Sequence, residues 1–96
     1  MYAVIFKAKI KNLDTRYSEM AKKMRELAMG YYGCTEFNSC TEGSDEIAIS
    51  YWPTLEAIKA WKEDAEHLTA QSLGKEAWYE SYTVQVVEIK REYHSV

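Results

Sequence analysis

The chain has 96 residues, 47% of them hydrophobic and 28% charged, and carries a net charge of -3. That length supports one hydrophobic core, read as a single domain over residues 1–96, and that balance excludes an intrinsically disordered chain. An acidic chain lacks the basic face that nucleic acid demands, and no apolar run approaches the roughly 18 residues needed to cross a bilayer, so neither nucleic acid nor membrane is expected as a partner.

"MYAVIFKAKIKN" alternates: Tyr2, Val4, Phe6, Ala8 and Ile10 share one face, and Lys7, Lys9 and Lys11 the other. This predicts a strand with one firmly buried face. The same stretch has neither the basic start nor the small-residue cleavage site of a secretory leader, so a cytoplasmic location is expected. Asp14 or Thr15 can cap a helix in which Tyr17, Met20, Ala21, Met24, Leu27 and Ala28 recur at three- and four-residue steps up to Gly30. "GCTEFNSC" reads as a second strand, and Gly43 in "TEGSD" supplies the permissive backbone of a turn. "EIAISYW" returns as a third strand, with Ile47, Ile49 and Tyr51 on one face and Ala48, Ser50 and Trp52 on the other. Pro53 stops it and Thr54 caps a second helix, which carries "AIKAWKEDAEHLTAQ". "SLGKEAWYES" reads as a loop at Gly74 with a short helical turn, and "YTVQVVEIKRE" as the fourth strand.

The order β-α-β-β-α-β predicts the ferredoxin-like α+β fold, a four-stranded antiparallel sheet with both helices on one face. Val86 and Val87 are neighbours, as are Val4, Ile5 and Phe6, so apolar groups point to both faces of the sheet. Helices cover one face; a second copy covering the other predicts a homodimer. Cys34 and Cys40 are too far apart for a CxxC motif and no second ligand pair accompanies them. They read as two reduced thiols, Cys34 semi-buried, and no metal site is expected.

On the second helix, Ile58, Trp61, Ala65, Leu68 and Ser72 fall in one stripe. Trp61 therefore faces the sheet, as core or as pocket wall. His67 lies roughly 130° from the centre of that stripe. A straight helix points it at solvent or the rim, paired with Glu63 or Asp64. A break near Asp64 to Glu66 would instead rotate it inward as a base of near-neutral pKa. Eight Tyr and three Trp against two Phe are a further signal, because a buried Tyr hydroxyl needs a partner. Several aromatics are thus expected at a polar-edged pocket or at a dimer interface. Tyr17, Tyr51, Trp52, Trp78, Tyr79 and Tyr82, gathered around a helix–sheet cavity, would suit a flat aromatic or apolar small molecule.

The run from Ser50 to Tyr82 resembles the antibiotic biosynthesis monooxygenase (ABM) superfamily. It is especially similar to the small bacterial branch with the pattern W-x-x-x-x-A-I-x-A-W-K-x-x-A-E-H, met here from Trp52 to His67. The resemblance implies a dimeric α+β barrel with a pocket in each protomer between helices and sheet. Characterised relatives oxidise electron-rich aromatics with dioxygen without metal or flavin, or degrade haem, and others have isomerase or unknown roles. The haem-degrading relatives ligate iron through a His on this helix. Aligned on Trp61, that His falls nearer Gln71, and their strand-one Asn has no match, so haem degradation is disfavoured and no haem, metal or flavin is expected as cofactor. The dioxygen chemistry requires a base, hydrogen-bond donors for a developing oxyanion and exclusion of water. Trp61, Asn38 and a Tyr hydroxyl are the candidate donors, and His67 or Asp64 the candidate base. Two readings stay open: a cofactor-independent monooxygenase-like enzyme acting on a small electron-rich aromatic or quinone-forming compound, and a non-catalytic dimeric barrel that binds a small molecule. A polar base reaching an enclosed cavity favours the first; a packed, dry helix–sheet interface favours the second.

Overall fold

The computed structural model describes residues 1–11, 15–72 and 78–95, and of residues 66–72 the backbone alone. Its elements are β1 (Tyr2–Ile10), α1 (Thr15–Gly30), β2 (Glu36–Glu42), β3 (Asp45–Trp52), α2 (Leu55–Ser72) and β4 (Tyr79–Glu88). The strands form one antiparallel sheet in the order β2-β3-β1-β4, the expected ferredoxin-like α+β arrangement. Among the described residues, no helix is long and apolar enough to cross a membrane.

Strand parity decides what each sheet face carries. Phe6 stands opposite Ala48 on one side and Val84 on the other, and Phe37 stands opposite Ser50. These positions share the helix-covered face with Val4 and Trp52, which pack against Ala28 of α1 and Ile58 of α2. Ile5, Ile47, Ile49, Tyr51 and Val87 fall on the opposite face by the same parity. Ile47 there is 44% exposed and Val87 38%.

Local chemistry sets the ends of the elements. The Thr54 hydroxyl accepts a hydrogen bond from the Ala57 amide at 3.1 Å and caps α2, as expected. Gly43 takes φ +61° between Glu42 and Asp45, as the first central residue of a two-residue type II′ turn requires. The second strand starts at Glu36 rather than Gly33. Gly33 has φ +80°, outside the strand region, and the Cys34 amide donates to the Ala28 carbonyl at 2.9 Å, so these residues close α1 instead of pairing in the sheet. Cys34 is accordingly buried rather than semi-buried, and both cysteines are free thiols. The fourth strand starts at Tyr79, three residues before the expected Tyr82. Asp14 and the loop reading at Gly74 lie outside the described residues.

The helix-covered face holds two buried clusters. Val4, Ala28, Cys34, Trp52 and Ile58 fill one end. Tyr17, Met20 and Trp78 form the other, with Met24 and Tyr79 packed against them.

Candidate functional site

Between these clusters α1 and α2 stand off the sheet and leave a cavity of about 520 Å³. That lies within the range of small-molecule sites. The sheet floor is Phe6, Phe37, Ala48 and Val84, and the helices contribute Met20, Met24, Trp61 and Ala65. Ala21, expected on the core stripe of α1, lines the cavity and stays exposed, because the sheet does not close over it.

Tyr17, Tyr79 and Glu46 form one polar cluster in the lining. Tyr17 sits in the first turns of α1 and is buried, its ring edge-on to Trp78 at 5.5 Å and to Tyr79 at 5.8 Å. Its hydroxyl donates to a carboxylate oxygen of Glu46, and the Tyr79 hydroxyl donates to Tyr17 at 3.5 Å. Burial first, and then the hydrogen bond to Glu46, push the Tyr17 pKa well above its ordinary value; burial does the same for Tyr79. Both phenols therefore keep their protons at neutral pH and act as donors, which leaves Glu46 as the acceptor. Glu46 is half-buried and is the one carboxylate among the described cavity-lining residues.

A β-bulge puts Tyr79 here. Lys9 pairs with Ser81 but Ile10 pairs with Tyr79, so β4 has one extra residue, Glu80, at this point. Without it, Glu80 would face the helices and Tyr79 the other side of the sheet. With it, Tyr79 and Tyr82 both face the cavity, ring centroids 5.8 Å apart, and each contacts Phe6.

Trp61 combines the two roles left open for it. It is half-buried on the cavity wall, its ring is 5.2 Å from Trp52 and 6.1 Å from Phe37, and its indole N–H donates to the Met24 carbonyl at 3.0 Å. That bond ties α2 to α1 and occupies the N–H, so Trp61 offers a ligand an apolar face rather than a donor. Trp52 is fully buried in the core, its indole bonded to Ser50 at 2.8 Å. Trp78 is also fully buried, and its indole N–H has no partner among the described residues.

The other candidates fall elsewhere. Asn38 pairs with Ile49 on the sheet face away from the helices, exposed, and donates to Glu36 at 2.7 Å. Tyr51 is half-buried on that same face. Asp64 accepts a hydrogen bond from Tyr32 at 2.6 Å, outside the cavity lining. That bond, with burial second, raises the Tyr32 pKa to about 12. The side chain of His67 lies outside the described residues. No group of three metal-ligating side chains occurs among the described residues.

Sequence reasoning missed Glu46, although the parity signal was present. It lies two residues before Ala48 on the strand face shared with Ser50 and Trp52, but a charge next to a turn reads as solvated.

The chain matches no family model. It is 38% identical over 92 residues to the uncharacterised protein YqjZ of Bacillus subtilis (strain 168), spanning 95% of this chain and 81% of that protein. Among solved structures it is similar to a mutant form of SnoaB, a cofactor-independent oxygenase from Streptomyces nogalater. The TM-score is 0.75 at 7% identity, over 95% of this chain and 94% of that one. It is also similar to an antibiotic biosynthesis monooxygenase with a TM-score of 0.67 at 18% identity, over 95% and 100% of the two chains.

Proposed function

We propose that this chain, which belongs to the family of YqjZ and has the fold of the antibiotic biosynthesis monooxygenase superfamily, is a cofactor-independent monooxygenase acting on a small electron-rich hydroxyaromatic. The observation that carries this reading is Glu46, the one carboxylate among the described residues lining the cavity, set beside the Tyr17 and Tyr79 hydroxyls and aromatic walls. One Glu46 oxygen accepts the Tyr17 hydroxyl. The carboxylate draws a proton from the ligand, and the Tyr17 hydroxyl, itself held by Tyr79, fixes the position of that carboxylate. The apolar walls formed by Phe6, Met20, Met24 and Trp61 keep water from the resulting carbanion.

The chemistry balances without a bound cofactor. An activated CH2 of the substrate loses a proton, and its carbanion gives one electron to dioxygen. Radical and superoxide combine to a peroxide anion, which takes the proton back from Glu46 as a hydroperoxide and then loses water to leave a carbonyl: CH2 + O2 gives C=O + H2O. The product of an anthrone-like substrate is the corresponding quinone.

The active form is proposed to be a homodimer joined through the helix-free sheet face, where Ile47, Ile49, Tyr51 and Val87 make an apolar surface. The dimer is tested by light scattering at micromolar concentration, where a stable monomer near 11 kDa counts against it. The reaction is tested with an oxygen electrode and anthrone as substrate. The expected result is one dioxygen taken up per anthrone, with Glu46→Gln slower by about a hundredfold or more. Binding of anthrone with no uptake above the uncatalysed rate overturns the catalytic reading in favour of a binding protein.

A further inference from the structure

Arg25 is the cavity-lining cation whose position is fixed by two contacts. Its guanidinium donates through Nη2 to the Ser39 hydroxyl at 3.1 Å and lies over the Phe37 ring at 5.2 Å from the centroid. Both partners line the cavity. Stacking and one neutral hydrogen bond orient the fork without neutralising it, and no carboxylate among the described residues pairs with it. Most of its donors stay free. Lys22 and Lys62 also line the cavity, the former tied to Glu26 at 4.0 Å. On a chain with a net charge of -3, the described lining carries three cations.

Glu46 belongs to the same lining. In the β2–β3 ladder Ser39 faces Ala48 and Glu46 faces Thr41. Ser39 and Glu46 are therefore diagonal neighbours on one face, about 7–8 Å apart. The cavity lining thus holds a proton acceptor and an oriented cation, and the strand positions that anchor them are spaced by about the length of two fused rings.

We propose that Arg25 is a specificity-determining residue, and that the ligand is a fused-ring hydroxyaromatic carboxylate. Its hydroxyl-bearing ring lies at Tyr17 and Glu46, and its carboxylate engages the free edge of the Arg25 guanidinium. This rests on the reading of the cavity as a hydroxyaromatic site and adds the anionic substituent to it. The planar, pre-oriented fork loses little freedom on pairing with a carboxylate, and the contact is solvent-exposed, so it selects among ligands at moderate strength and weakens with salt.

The test is calorimetric titration of the intact protein with 6-hydroxy-2-naphthoate and with its uncharged methyl ester. Wild type is expected to prefer the acid by about tenfold at low salt, a preference that falls as salt rises. Arg25→Gln is expected to lose the preference while binding the ester as wild type does. Ser39→Ala, which frees the guanidinium without removing it, is expected to fall between. Equal binding of acid and ester by wild type, or an acid preference that survives Arg25→Gln, overturns the role of Arg25 and leaves the hydroxyaromatic site standing. Failure of both ligands to bind overturns both.

Discussion

The two ends of the helix-covered sheet face use the same secondary structure to opposite effect. At one end Trp52, fully buried, meets Val4, Ala28, Cys34 and Ile58, and its single polar atom is satisfied by Ser50 two residues back on its own strand. Toward the other end Trp78 is as fully buried, beside Tyr17 and Met20, but Glu46 satisfies Tyr17 from the lining of the cavity that lies between the two clusters. A core aromatic whose partner lies within its own strand allows close packing up to the helices. A hydroxyl pair facing a carboxylate cannot be closed over without desolvating the charge, and the space remains. Trp61 marks the boundary, its ring 5.2 Å from that of Trp52 and its side chain on the cavity wall.

The largest effect belongs to the packed end. Trp52→Ala should destabilise the fold by about 3–5 kcal/mol in a urea titration, because the site around a fully buried indole cannot collapse. A loss near 1 kcal/mol would mean that this end is as loosely packed as the other. Trp61→Ala should lose clearly less, since part of its surface already faces the cavity. Trp61→Phe should lose about 1 kcal/mol, the value of the bond to the Met24 carbonyl. A Trp61→Ala loss equal to that of Trp52→Ala would move the boundary and put Trp61 in the core.

At the open end the expected signature is alkaline. The folded-state pKa of Tyr17 is raised, chiefly by burial and then by Glu46, so the folded form keeps its proton where the unfolded chain releases it. The stability this contributes is complete below pH about 10 and declines as pH rises beyond it. Tyr17→Phe should make that alkaline decline shallower, at a loss of about 1 kcal/mol near neutral pH for the missing hydrogen bond. An unchanged alkaline slope would place the Tyr17 hydroxyl in water. The smallest effect should come from Tyr32→Phe, which keeps the ring packed against the filled cluster and loses only the bond to Asp64, and its loss in a melting scan should not exceed about 1 kcal/mol.

The packed end was the more legible in sequence, for a physical reason. Alternation from Tyr2 to Ile10 and the stripe of Ile58, Trp61 and Ala65 report burial directly, and Thr54 after Pro53 reports a cap. The open end depends on features that periodicity does not report. The bulge at Glu80 reverses the facing of Tyr79, and "WYES" carries no alternation to announce a strand. Glu46 is a half-buried acceptor whose donor, Tyr17, lies 29 residues earlier in the chain. The candidates chosen for their chemistry alone, Asn38 and Asp64, proved to have partners away from the cavity, at Glu36 and Tyr32. The fold was legible in the order of the elements, and the pattern from Trp52 to His67 includes two residues, Trp52 and Trp61, whose ring centroids lie 5.2 Å apart.

The contrast between a filled and an open end is tested most directly by methyl carbon NMR during titration with 2-naphthol. Shifts are expected at Met20, Met24, Ala48 and Ala65, which line the cavity, and no change at Ala28 or Ile58, which belong to the packed cluster. Shifts concentrated at Ala28 and Ile58, or confined to Ile47 and Ile49 on the helix-free face, would contradict the assignment of the cavity as the ligand site.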